Sequence, residues 1–269
     1  MSKRVLVTND DGIDAKGLRV LTATLVAHGY TPLVVAPDQD YSGASGSLLS
    51  LTSRPDALDR SEIRYEERTL EEAPGVEAYA IDGPPALCAL LAIRGAFGPM
   101  PDLVTSGINF GLNAGPAVTH SGTVNAALTT SKAGIPSLAI SAHFSPEEPD
   151  EMRYDTAAEV AMWVLAEQAI AGTPLVSLNV PRCDLSDVKG IRSAPLAETF
   201  RWRSFVEPAA DGVITRTFEQ TDEALVPGTD TDLVDQGWAT ISALVPISAI
   251  ECDDLATAAT KAGATEPAA

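Results

Sequence analysis

The stretch RVLVTNDDGIDAKGLRVLTATLVAHGYTPLVVAPD, residues 4–38, decides the fold. Arg4–Thr8 is a short run of β-formers, Asn9–Asp14 has turn composition, and Lys16–His28 carries Leu18, Leu21 and Leu25 on one helical face. Thr31–Ala36 is a second apolar strand, ended by Pro37-Asp38. A strand, a loop, a helix and another strand in this order predict parallel strands joined by crossover helices, the unit of a doubly wound α/β sheet.

The same alternation continues downstream. After a polar, proline-broken excursion over 54–75, Val76–Ile81 reads as a strand, Ala86–Ile93 as a helix and Asp102–Thr105 as a strand that opens into a glycine-rich loop, Ser106–Gly115. Ser121-Gly122-Thr123 starts a helix that runs to about Ala133. Pro136–Ser141 and Leu175–Val180 are strands, and Arg153–Ala171 between them is a helix with Trp163 and Leu165 turned inward. Beyond Asp184 only short alternating segments remain: Phe200–Glu207, Val213–Phe218 and Trp238–Leu244. The expected organisation is therefore an α/β core over 1–183, an antiparallel extension or dimerisation arm over 184–256, and a flexible alanine-rich tail over 257–269.

Bulk properties narrow the function. Acidic residues outnumber basic ones 37 to 18, a formal charge of −19 that repels a nucleic acid polymer. A small phosphorylated ligand is still admissible, because a bound cation or main-chain donors reverse the field inside one pocket. Cys88, Cys183 and Cys252 are odd in number and widely spaced, which fits a reducing cytoplasm. No apolar run is long enough for a signal-peptide core or a membrane span, so neither secretion nor a membrane partner is expected.

Three unusual loops follow predicted strands: Asn9-Asp10-Asp11-Gly12, Ser42-Gly43-Ala44-Ser45 and Ser106-Gly107-Ile108-Asn109. Ligands of open α/β sheets bind beyond the carboxyl ends of the strands, so these loops can share one crevice. Adjacent carboxylates at Asp10 and Asp11 repel each other unless a cation lies between them. With Ser42 and Asn109 they make an all-oxygen set suited to magnesium, manganese or calcium rather than zinc or copper. Each residue also has a plain reading: Asp-Asp-Gly as a tight turn, Ser42 as a turn hydroxyl, Asn109 as a loop amide bonded to its own backbone. Ser121, Gly122 and Thr123 at a helix start offer N–H groups and hydroxyls to a phosphate, although Ser121 as an ordinary N-cap explains them as well. His120 beside them is a candidate proton donor to a leaving oxygen. Gly107, Gly111 and Gly115 recur at every fourth residue and do not form the G-x-G-x-x-G fingerprint of a dinucleotide-dependent oxidoreductase.

Five ordered motifs carry a resemblance: Val-Thr-Asn-Asp-Asp-Gly at 7–12, Val-Ala-Pro-Asp at 35–38, Ser-Gly-Ala-Ser at 42–45, Ser-Gly-Ile-Asn at 106–109 and Ser-Gly-Thr-Val at 121–124. The chain resembles the SurE family of 5′/3′-nucleotidases, with further echoes at Leu178–Pro181, Lys189–Arg192 and Gly228–Asp230. The resemblance implies a Rossmann-like, mostly parallel sheet and a C-terminal arm exchanged in a homodimer or a dimer of dimers. It also implies one divalent cation per subunit, magnesium or manganese with calcium admissible, held at Asp10, Asp11, Ser42 and Asn109. The implied reaction is hydrolysis of nucleoside 5′- or 3′-monophosphates, with Asn9, Gly43, Ser106, Gly107, Ser121, Gly122 and Thr123 around the phosphate and Asp10, Asp11 and His120 as catalytic candidates. A specialised biosynthetic phosphatase, an exopolyphosphatase and a non-catalytic metal or nucleotide sensor are the alternatives. The chain departs from the usual pattern at Tyr41, where many relatives carry arginine, and at Leu87, where an aspartate is often found.

Overall fold

In the computed structural model, residues 2–49, 62–148, 150–166, 175–221 and 224–245 are described. The expected tail, Cys252 and the end of the helix projected to Ala171 lie outside them. Strands β1 (Arg4–Thr8), β2 (Thr31–Pro37), β4 (Glu77–Ile81), β5 (Leu103–Phe110), β6 (Ser137–Ala142) and β7 (Leu175–Val180) form the parallel heart of a nine-stranded sheet. A short strand, β3 (Tyr65–Arg68), lies antiparallel along the β4 edge. At the opposite edge, β11 (Ala239–Ala243) pairs antiparallel with β7 and parallel with β8 (Ile191–Ser193), which completes the order β3-β4-β2-β1-β5-β6-β7-β11-β8. β9 (Trp202–Pro208) and β10 (Ile214–Gln220) form a separate antiparallel hairpin.

The period-two alternation of β1 explains how one sheet is covered on both faces. Val5 and Val7 enter one core with Leu18, Leu21 and Leu25 of helix α1 (Lys16–Ala27) and Val160 and Leu165 of α4 (Tyr154–Ala166). Leu6 points the other way, onto Cys88, Ala89 and Ala92 of α2 (Pro85–Ile93) and Ala126 of α3 (Gly122–Ser131). Full burial of each leucine contributes about 1.5–3 kcal/mol, so these two apolar layers dominate the stability of the doubly wound core.

Two expectations are corrected. Trp163 is 39% exposed while Leu165 is buried. Asp155, Glu159 and Trp163 follow one another at four-residue spacing and form the outer stripe of α4, whereas Val160, Ala161 and Val164 take the inner face. The second correction concerns Ser106–Phe110, which reads as loop from its glycine and polar content but continues β5. Ser106 pairs with Ala139 and Asn109 with Ser141, so β5 carries one residue more than β6 over this step and bulges. Gly107 accommodates the bulge at φ 133°, where a Cβ would also lie 2.3 Å from the Ile140 carbonyl oxygen. Its peptide to Ile108 is cis.

Candidate active site

The strand order reverses direction at β1 and β5: from β1 the chain winds outward through β2 and β4, and from β5 it winds the other way through β6 and β7. That switch point opens a crevice beyond the carboxyl ends of both strands. The turn after β1 is built into it. Asn9 donates its amide to the Gly12 carbonyl at 2.8 Å, the Ile13 N–H reaches the Pro37 carbonyl at 2.8 Å, and the Tyr41 N–H reaches the Asp10 carbonyl at 2.8 Å. The Asp-Asp turn and the Ser42 loop are thereby bound into one piece of backbone.

Asp10 is only 3% exposed. Burial pushes its pKa up, and the Thr123 hydroxyl, which donates to Oδ1, is the largest of the influences opposing that rise, with the main-chain N–H groups of Thr123 and Gly122 among the smaller ones. A Cβ on Gly122 would lie 2.7 Å from Asp10 Oδ2, so the absence of a side chain there is what lets the helix start approach the carboxylate. Thr123 also bridges Asp10 to Asn109, its hydroxyl oxygen lying 3.2 Å from Asn109 Oδ1. Asn109 spends its amide N–H groups on the carbonyls of Phe110 (3.2 Å) and Gly111 (2.7 Å), which directs Oδ1 toward the aspartate. Asp11 accepts the Phe110 N–H at 3.3 Å; burial, and then the charges of Asp10 and Asp40, push its pKa up to about 7.

Asp10, Thr123 and Asn109 are thus in direct contact, with Asp11 one residue along and bonded to the strand that carries Asn109. Ser42 is exposed on its tethered loop, its N–H donating to Asp40 Oδ1 at 2.7 Å, and Gly43 follows at φ 83°. Ser121 caps α3 by accepting the Val124 N–H at 3.0 Å. His120 is exposed at the end of the preceding 3₁₀ turn, Gly115–Thr119. Ser106 is fully buried opposite Thr8 in the β1–β5 register. Two neighbours escaped the sequence reading. Asp40 carries an Asp-x-Ser turn signal that was available, whereas Tyr154, whose pKa is pushed to about 12 by burial and then by the charge of Asp11, sits on a distant helix and carries none.

The donor chemistry fits a hard divalent cation. Every candidate ligand offers oxygen, the paired carboxylates are held in the crevice with their negative forms disfavoured, and the buried oxygens of Thr8, Asn9 and Ser106 have no hydrogen-bond partner among the described residues. The described residues contain no group of three or more His, Cys, Asp or Glu placed to hold a metal, so the carboxylate pair with neutral oxygen neighbours is the arrangement on which an ion would depend.

A Rossmann-like doubly wound sheet with an oxygen-lined acidic pair at its switch point defines an α/β protein of the switch-point ligand-binding class. Known proteins narrow this class. The family model described as survival protein SurE matches residues 5–203. A 5′-nucleotidase SurE from Aeromonas hydrophila is 34% identical over 248 residues, 90% of this chain and 91% of that protein. One from Dehalococcoides mccartyi is 37% identical over 248 residues, covering 90% and 88%, and one from Parasynechococcus marenigrum is 42% identical over 181 residues, covering 67% and 64%. The crystal structure of the SurE protein from Aquifex aeolicus superposes with a TM-score of 0.74 at 25% identity, spanning 97% of this chain and 99% of that one. With the fold, the motifs and these likenesses in agreement, the chain belongs to the SurE family.

Proposed function

We propose that the protein is a divalent-metal-dependent phosphomonoesterase that releases phosphate from nucleoside 5′-monophosphates and also from 3′-monophosphates. The nucleotidase names of its relatives support the reaction class, and the Asp10–Thr123–Asn109 contact beside Asp11 is the observation that carries the chemistry. Asp10, Asp11, Ser42 and Asn109 would hold one magnesium or manganese ion, which supplies Lewis acidity to the phosphoryl oxygens when bound.

The rest of the work belongs to the chain. Asn9 braces the Asp turn through Gly12, and Thr123 fixes which oxygen of Asp10 stays inside the protein. Asp11, the less buried of the pair, accepts a proton from the water that attacks phosphorus in line. The N–H groups of Gly43 and Gly107, with Ser106 and Ser121, meet the charge that grows on the phosphoryl oxygens, while Gly122 and Thr123 at the helix start hold Asp10 in place. As the P–O ester bond breaks, His120 gives a proton to the departing nucleoside oxygen. The β9–β10 hairpin, with Val206, Val213 and Ile214 each at least 56% exposed, is the surface through which two copies would associate. We read residues 1–183 as the hydrolytic core and 184–256 as the arm that serves this association, in a protein of the cytoplasm.

The test is phosphate release from a panel of nucleotides, sugar phosphates and short polyphosphates, each with magnesium, with manganese and with chelator. Release from nucleoside monophosphates that stops with chelator is expected. Equal release in chelator overturns the metal dependence, and release from none of them overturns the enzyme reading.

A further inference from the structure

A cavity of about 760 Å³ opens beside the candidate site, between the end of β5 and the β9–β10 hairpin. Its size is far beyond what a phosphate group needs and falls in the range of sites for whole small molecules. Phe110, Phe144 and Trp202 all line it and form a row. The first two rings are 5.0 Å apart at 32°, and the second two are 5.8 Å apart at 15°. Phe110 directly follows Asn109 and donates its N–H to Asp11, so the row begins at the carboxylate site and leads away from it. His120, the candidate proton donor, lines the same cavity.

The facing wall comes from the hairpin. Phe205 and Phe218 line it, and the guanidinium of Arg216 lies 4.4 Å over the Phe218 ring. Arg201, held by Asp235 at 2.6 Å, is a second cation on the wall, and Glu198 is the one carboxylate among the lining residues. On a chain of formal charge −19 this pocket is a local exception, suited to an anion with an aromatic part. Phe110 is 42% exposed, so the row presents ring surface to the cavity.

Resting on the nucleotidase reading and deepening it, we propose that this cleft is the nucleobase site: the base stacks on the Phe110–Phe144–Trp202 row while its phosphate lies at Asp10, Asp11 and Asn109. Recognition by ring faces is tolerant of base identity, because every base has a π face. The protein then prefers purine over pyrimidine monophosphates through their larger stacking area, with little distinction between adenine and guanine. Sugar phosphates without a base are bound less tightly at an unaltered phosphate site.

The experiment compares native protein with Trp202→Ala, Trp202→Phe and Phe144→Leu, on adenosine 5′-monophosphate and on ribose 5-phosphate, in the presence of magnesium. Trp202→Ala and Phe144→Leu are expected to raise KM for the nucleotide about tenfold and to leave kcat/KM for ribose 5-phosphate within about twofold, with Trp202→Phe close to native on both. A second readout needs no turnover. Adenosine added in chelator quenches the tryptophan fluorescence of native protein and leaves the Trp202→Phe emission unchanged. Nucleotide KM values unaltered in all variants, with no quenching, overturn the base site but leave the phosphatase reading standing. Absence of phosphate release from either substrate overturns that reading, and the quenching then decides the base site alone. Equal losses on both substrates, together with a change in sedimentation of Trp202→Ala, overturn the proposal in favour of a second copy's hairpin filling the cleft.

Discussion

Asp10 and Asp11 are held in a place that disfavours their charge, and that fact predicts opposite signs for activity and stability. Replacing Asp10 by Asn keeps an acceptor for the Thr123 hydroxyl but removes the negative charge on which the proposed metal ion would depend; turnover is expected to fall by at least about 100-fold with the circular dichroism spectrum unchanged. Asp11 has a folded-state pKa raised to about 7, from burial first and the Asp10 charge second. In metal-free protein the raised value means stability that is full below the unfolded pKa near 4 and is lost as pH rises through about 7. Asp11→Asn, measured in chelator at pH 8, is therefore expected to raise Tm by about 3 °C or more while activity collapses; a lowered Tm would show that the charge is compensated by the chain itself. Gly122 gives a third residue-scale prediction. A methyl group there meets Asp10 at 2.7 Å and Pro85 at 2.9 Å, so Gly122→Ala should cost about 1–3 kcal/mol in denaturant unfolding and disable the site. The carboxylate pair was legible because its turn follows a strand, and Asn109 because its polar, glycine-rich stretch stands out although it proves to be the bulged end of β5, but the bridging role of Thr123 was not. A Ser-Gly-Thr helix start announces a cap, and nothing in its spacing says that an aspartate more than a hundred residues earlier will occupy the donors.

At the level of the element, legibility followed hydrophobic period. The strands over 4–8, 31–37 and 175–180 stood out because continuous β-branched and aliphatic runs mark strands buried on both faces. The end of β5 did not, since a bulge filled with Ser, Gly and Asn has the composition of a loop, and only its pairing with Ser141 and Ala142 reveals a strand. Trp163 failed for a different reason. Its size invites burial, yet its place on the Asp155–Glu159 stripe decides its direction. The two positions make a matched test in urea unfolding. Leu21→Ala, in the core under β1, should cost about 2–5 kcal/mol, whereas Trp163→Ser, on the larger but partly exposed side chain, should cost less than Leu21→Ala, about 1–2 kcal/mol.

For the whole molecule, pH acts at the seam between core and C-terminal segments. His143 has its pKa lowered by burial first and by the Arg201 charge second, with Arg182 adding to the effect and Asp235 opposing it. A depressed histidine stabilises the fold above its unfolded pKa near 6.5 and loses that contribution as pH falls through the lower folded value. The drop in Tm from pH 7.5 to 5.5 is accordingly expected to be smaller in His143→Gln than in the native protein, by differential scanning calorimetry. The exposed hairpin yields a prediction on association: Ile214→Glu should shift sedimentation toward the monomer, and unchanged mass would remove the hairpin from the contact. The order of strands has one more consequence. Among the described residues β8 touches the sheet only through β11, and β11 is the last strand described along the chain. During synthesis the β7 edge therefore stands bare, and Ile191–Ser193 waits without a partner, until Ala239–Ala243 has cleared the ribosome. A nascent chain stalled or cut before that point carries a nearly finished enzyme with one adhesive flank, and a chaperone would find its client there.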